Sequence, residues 1–139
     1  MRSTRPSRRL RLRTFRIGDP PTAADGLRIG VTRRPPRGVP RARWQAEGYF
    51  DVWFPAIAPS QALLAKYRPA ALDDPRVFAK LAAAYRRELE KPEARQTIQL
   101  LAELARRTPI AIGCFCTDES RCHRSVLKKA IEAATEGAR

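Results

Sequence analysis

Leu10, Leu12, Phe15 and Ile17 stand between arginines near the start of the chain, in an alternation that slips once near Thr14. This predicts a short edge strand. Residues 1–9, which carry almost no apolar side chain, read as a mobile arm. A turn-rich stretch from Gly18 to Gly26 leads to a second strand over Leu27–Thr32, and the Pro35-Pro36 pair makes Arg33–Pro40 a loop. The β-branched and aromatic run Tyr49–Phe54, ended by Pro55, predicts a buried strand.

Beyond residue 60 the period changes from two to 3.6. Ser60 caps a helix carrying Leu63, Leu64 and Tyr67, which Pro69 stops. Residues 75–90 form a longer helix with Pro75 in its first turn and Val77, Phe78, Leu81, Ala84, Tyr85 and Leu89 on one stripe. Pro92 opens another, with Ile98, Leu101, Leu104 and Ala105 inward. Pro109–Cys116 is the clearest buried strand, and residues 122–135 form a last helix burying Val126, Leu127, Ala130, Ile131 and Ala134. Strands alternating with helices predict a single α/β domain over 1–139, its core over 27–135 and a basic arm over 1–16. A small, mainly parallel sheet is covered by helices in Rossmann-like layering.

Composition narrows the classes. No apolar run in the 139 residues approaches the ~20 needed to cross a bilayer, and the arginine-bearing start has no apolar signal core, so a cytoplasmic location is expected and a membrane partner is not. Three cysteines in a reducing compartment read as thiols. The net charge of +14 is uneven: residues 1–43 hold thirteen arginines against Asp19 and Asp25, whereas the remaining chain is nearly balanced. Clustered guanidinium suits phosphate, so a nucleic-acid partner held through the N-terminal third is one expectation.

The chemistry concentrates in one segment. All three cysteines and the single histidine fall within Cys114–His123. On a strand Cys114 and Cys116 share a side, with Phe115 directed into the opposite layer. Cys122 and His123 open the next helix, whose first turn favours a thiolate, so a lowered pKa is expected at Cys122, and at Cys116 where it approaches that turn. Three readings are open. Cys114, Cys116, Cys122 and His123 can hold zinc or iron, although adjacent residues inside a regular helix point about 100° apart and share an ion only if they precede it. Alternatively Cys116 and Cys122, with His123 and Arg124, form a nucleophilic or redox site. In the third, the cysteines only pack. The spacing from Cys116 to Arg121 or Arg124 does not match the Cys-x5-Arg loop of cysteine phosphatases.

Ligands of parallel α/β sheets bind beyond the carboxyl ends of the strands. Three segments would meet there: Arg33–Gly38, Pro55–Ser60 and Cys116–Arg124. A pocket shared by arginines and thiols suits a small anionic or electrophilic ligand, with Arg33, Arg34, Arg37 and Ser60 binding it and Cys116, Cys122, His123 and Arg124 as the reactive wall. Asp51 is expected either to orient a basic partner or to face solvent, and Trp44 and Trp53 to pack.

Arg33-Arg34-Pro35-Pro36-Arg37-Gly38, Tyr49–Pro55 with Ala58-Pro59-Ser60, and above all Cys116 with Cys122-His123-Arg124-Ser125 resemble domain-of-unknown-function family 488, over about Ile29 to Leu127. The resemblance implies a compact α/β fold and a shared site lined by Arg37, Cys116, Cys122, His123 and Arg124, without naming a reaction. The basic arm over residues 1–16 looks particular to this chain.

Overall fold

The computed structural model describes residues 9–137, so the expected arm over residues 1–9 lies almost wholly outside the described residues. Four strands, β1 (Leu12–Arg16), β2 (Leu27–Gly30), β3 (Val52–Trp53) and β4 (Ile110–Cys114), form one sheet in the order β1-β4-β2-β3. Every pairing is parallel, with β4 between β1 and β2. The helices are α1 (Gln61–Lys66), α2 (Pro75–Leu89), α3 (Pro92–Arg107) and α4 (His123–Gly137). The α/β class expected from the pattern is what the chain adopts. None of the described helices is long and apolar enough to cross a membrane.

Local sequence explains where the helices start. Ser60 Oγ accepts from Leu63 N at 3.1 Å, and the Asp74 carboxylate accepts from Arg76 N at 2.9 Å ahead of Pro75. These bonds satisfy amides that have no partner inside the helix. The apolar stripes then pack on one sheet face: Leu81, Tyr85, Ile98, Leu101, Ala105, Leu127 and Ile131 lie against Leu12, Ile29, Val31, Ile110 and Ile112.

The other face is covered by a loop. Phe15, Ile17, Phe50 and Ala111 are buried there with Trp44, Tyr49 and Trp53 against them. The phenyl rings lie on strand glycines: a Cβ on Gly113 would collide with Phe15 Cζ, and one on Gly30 with Phe50 Cδ2. Arg28 is buried among them at 3% exposure, its guanidinium 4.0 Å from the Phe15 ring centre. It donates to the Gly48 and Asp19 carbonyls at 2.9 Å and pairs with the buried Asp25 at 3.4 Å. Trp44 and Trp53 pack edge-on at 5.9 Å, as expected.

Two-sided burial explains three departures from the sequence reading. The apparent slip near Thr14 is no irregularity, because Leu12 faces the helices and Phe15 the loop layer. Tyr49–Phe54 is not a buried strand: only Val52–Trp53 pair, at the sheet edge, and Val52 is 42% exposed. Its aromatic density serves the loop layer, with Phe50 lying over Gly30. Asp51 neither orients a guanidinium nor simply faces water, since its carboxylate accepts from Arg28 N at 2.9 Å and Gln45 Nε2 at 2.8 Å.

Candidate functional site

The side chains of Ile110, Ile112 and Cys114 fall on the helix face of β4, which places the Cys114 thiol, 6% exposed, at the carboxyl end of the sheet's apolar layer. The chain then leaves the sheet. Cys116 returns its sulfur to 3.9 Å from that of Cys114, while Phe115 is 42% exposed rather than packed in the opposite layer. The strand ends at Cys114, so nothing continues the alternation that would bury Phe115.

The connecting segment is fastened to β1 and α4. Thr14 Oγ1 donates to the Glu119 carboxylate, and Arg16 Nε donates to Phe115 O at 3.4 Å. Arg124, 3% exposed, donates from a terminal nitrogen to Cys116 O at 2.8 Å. Cys122 is extended (φ −121°, ψ 144°), with its N–H on Glu119 O at 3.1 Å, so it precedes the regular helix. That is the condition under which neighbouring Cys122 and His123 can aim at one point.

They do so. His123 Nδ1 lies 3.9 Å from the sulfurs of both Cys114 and Cys122, and the three sulfurs are within 4.8 Å of one another. Nε2 of the same ring is 2.7 Å from the Val31 carbonyl. A carbonyl only accepts, so Nε2 carries the proton and Nδ1 turns a lone pair to the thiols. Tyr85 braces the ring edge-on at 5.7 Å, its hydroxyl donating to Ile57 O.

The electrostatics follow from this crowding. Hydrogen bonds from Cys116 and then Cys122 hold the Cys114 thiol down at about 3. The same bonds, led by the one to Cys114, push Cys116 and Cys122 up. The lowering expected at Cys122 therefore falls on Cys114 instead. The hydrogen bonds of Cys122 to Cys114 and Cys116, with its burial, outweigh the first-turn amides. Burial lowers the His123 pKa, against the opposing bond to Val31, and keeps the ring neutral. Burial likewise raises Tyr85.

The three strand-end segments do meet, but the arginine wall is divided. Val31 joins the first segment to His123, and Arg33 donates to Pro59 O at 3.0 Å and Ala58 O at 2.9 Å, joining the first to the second. Arg33 is thus engaged as a brace. Ser60 is also occupied, its N–H and hydroxyl both donating to the Glu88 carboxylate. Arg33 and Ser60 line a cavity of about 180 Å³ with Tyr85, Glu88 and Lys91, and no thiol opens into it. Arg34 and Arg37 are exposed, and their guanidinium groups have no hydrogen-bond or ion-pair partner among the described residues. Sequence reasoning missed Val31 and Tyr85, because a backbone acceptor and a ring contact leave no local signal.

Residues 12–135 match the family model described as DUF488-N3a, the active DUF488-N3 subclade. The chain belongs to family DUF488. The match is wider than the stretch over which the motifs alone suggested the resemblance, and it begins at the first residue of β1. No curated protein and no solved structure matches the chain. Of the residues that the DUF488 resemblance implied would share a site, Cys116, Cys122, His123 and Arg124 come together, whereas Arg37 stands in the exposed loop after β2.

Proposed function

We propose that this DUF488 protein is a metal-binding protein whose Cys114, Cys116, Cys122 and His123 hold one zinc ion at the carboxyl edge of the sheet. The observation that carries this reading is the aim of His123 Nδ1, an unprotonated nitrogen 3.9 Å from two sulfurs, with the opposite nitrogen locked on Val31 O at 2.7 Å. Ligating histidines are oriented by such a bond on the far ring nitrogen. A tetrahedral zinc with bonds of about 2.3 Å to sulfur and 2.0 Å to nitrogen sets thiolates about 3.8 Å apart and nitrogen about 3.5 Å from each. Cys114–Cys116, Cys114–His123 and Cys122–His123 are already at 3.9 Å, and the three sulfurs lie within 4.8 Å of one another, so binding would draw the sulfurs together by up to about 1 Å. Soft thiolates with imidazole favour zinc, or iron as the nearest competitor. Cys116, the exposed ligand, is the side from which a small anionic or electrophilic molecule would approach.

The same exposure supports a second reading, in which no ion binds and Cys116, passing its proton to the Cys114 sulfur 3.9 Å away, attacks an electrophile directly. Elemental analysis of untagged protein, paired with a thiol count before and after chelation, separates the two. One zinc per chain and thiols released only by chelator support the metal centre. A metal-free protein whose Cys116 reacts at once overturns it and supports the nucleophile.

A further inference from the structure

We infer that the thiol centre is a site of oxidation by hydroperoxides, in which Cys116 is oxidised and Cys114 then closes a Cys114–Cys116 disulfide. The three thiols differ in access: Cys116 is exposed, whereas Cys114 and Cys122 are 6% and 1% exposed. An oxidant arriving from solvent therefore meets Cys116 first. Its sulfur lies 3.9 Å from that of Cys114, against about 2.05 Å in a disulfide. Cys116 stands outside any strand or helix, and Arg124 holds its main chain through the carbonyl at 2.8 Å, which leaves the side chain to turn through the remaining distance. Cys114 ends the inner strand β4 and is the fixed partner.

In alkylation or acylation of Cys116 the neighbouring Cys114 can serve only as a base. In an oxidation it supplies the second sulfur that a sulfenic acid needs in order to resolve. In the first step the Cys116 sulfur takes the outer oxygen of the hydroperoxide: an S–O bond forms, the O–O bond breaks and an alcohol leaves. The Cys114 sulfur then attacks that of Cys116: an S–S bond forms, the S–O bond breaks and water leaves. The two sulfurs give up two electrons. The two departing oxygens take up two protons, which come from the thiols, or from solvent where the sulfurs already hold an ion. The disulfide removes two of the four proposed metal donors and leaves only Cys122 and His123, so oxidation releases the ion. That release rests on the metal reading above, whereas the disulfide needs only the sulfur geometry.

The test treats the full chain, with the zinc it carries on purification, with a slight excess of cumene hydroperoxide. Free thiols are then counted with a maleimide in denaturant, the disulfide is mapped by mass spectrometry, and released zinc is read with a chelating dye. The wild-type count should fall from three to one and return to three with dithiothreitol. Cys122→Ser should lose both of its thiols to the same disulfide, Cys114→Ser should stop at a sulfenic acid on Cys116 that dimedone traps, and Cys116→Ser should keep both of its thiols. The wild-type map decides the pair even where a variant fails to fold. A wild-type count that stays at three overturns the inference, and zinc that stays bound in that sample leaves the metal reading standing. A disulfide mapped to Cys122, or faster oxidation by glutathione disulfide than by the hydroperoxide, also overturns it. A chain purified without zinc overturns the metal reading, and the thiol count still decides the disulfide.

Discussion

The helix face of the sheet is closed by aliphatic side chains spread over four helices, whereas the loop face is closed by two phenyl rings lying on glycines and one buried arginine. On the first face many side chains share the load, so single losses are local. On the second, a few residues each have no substitute. The thiol centre grows out of the redundant face, at its carboxyl end.

Removing Arg28 is the strongest way to break the loop face. Arg28→Ala leaves Asp25 and the Gly48 and Asp19 carbonyls without their buried partner, and urea denaturation should show a loss of about 3–5 kcal/mol. Adjacent positions of β4 sharpen the contrast next. Gly113→Ala pushes a methyl into Phe15 and should cost about 1–3 kcal/mol by overpacking, whereas Ile112→Val on the helix face should cost about 0.5–1.5 kcal/mol. Equal losses would erase the distinction between the faces.

Acid probes the helix face through His123. Its folded pKa lies below the ordinary 6.5, so the unfolded chain takes up the proton first. The stabilisation from the neutral ring is complete above pH 6.5 and declines as pH falls towards the folded value, by about 1.4 kcal/mol per unit at most. Denaturant midpoints at pH 7.5 and 5.5 should differ in the native chain, and the difference should shrink in His123→Asn. A loss of about 1 kcal/mol by thermal melting is expected for Ser60→Ala, which removes the cap to Leu63 and the hydroxyl bond to Glu88.

The helix face was legible in the sequence because its signal is periodic. Val77 through Leu89 and Ile98 through Ala105 each trace one stripe, and Ile110–Cys114 is apolar throughout, as a central parallel strand requires. The loop face was not legible. Arg28 within Leu-Arg-Ile-Gly has the pattern of an outward charge, and only distant Asp19, Asp25 and Gly48 make it an inward one. Tyr49–Phe54 carries strand-forming residues for packing rather than pairing.

The thiol cluster could be read because its members lie within ten residues, so local chain geometry nearly suffices to assemble it. Which thiol is pushed down and which up could not, since that depends on the mutual distances of three thiols. Nor could the employment of Arg33, Arg124 and Ser60, whose partners are two carbonyl-bearing loops and a glutamate 28 residues away.

The strand order sets a timetable for folding during synthesis. β4 lies between β1 and β2, so neither the first strand nor the inner edge of the second can complete its ladder until Ile110–Cys114 has been made. At about 5–20 residues per second the ribosome holds these strands unpaired for several seconds. Both strands lie in the stretch richest in arginine, and like charge along an unpaired edge disfavours its pairing with another chain. Cys122 and the last helix, which begins at His123, emerge after the strands they close upon, so the three thiols and the imidazole come together only once the rest of the fold is available to receive them.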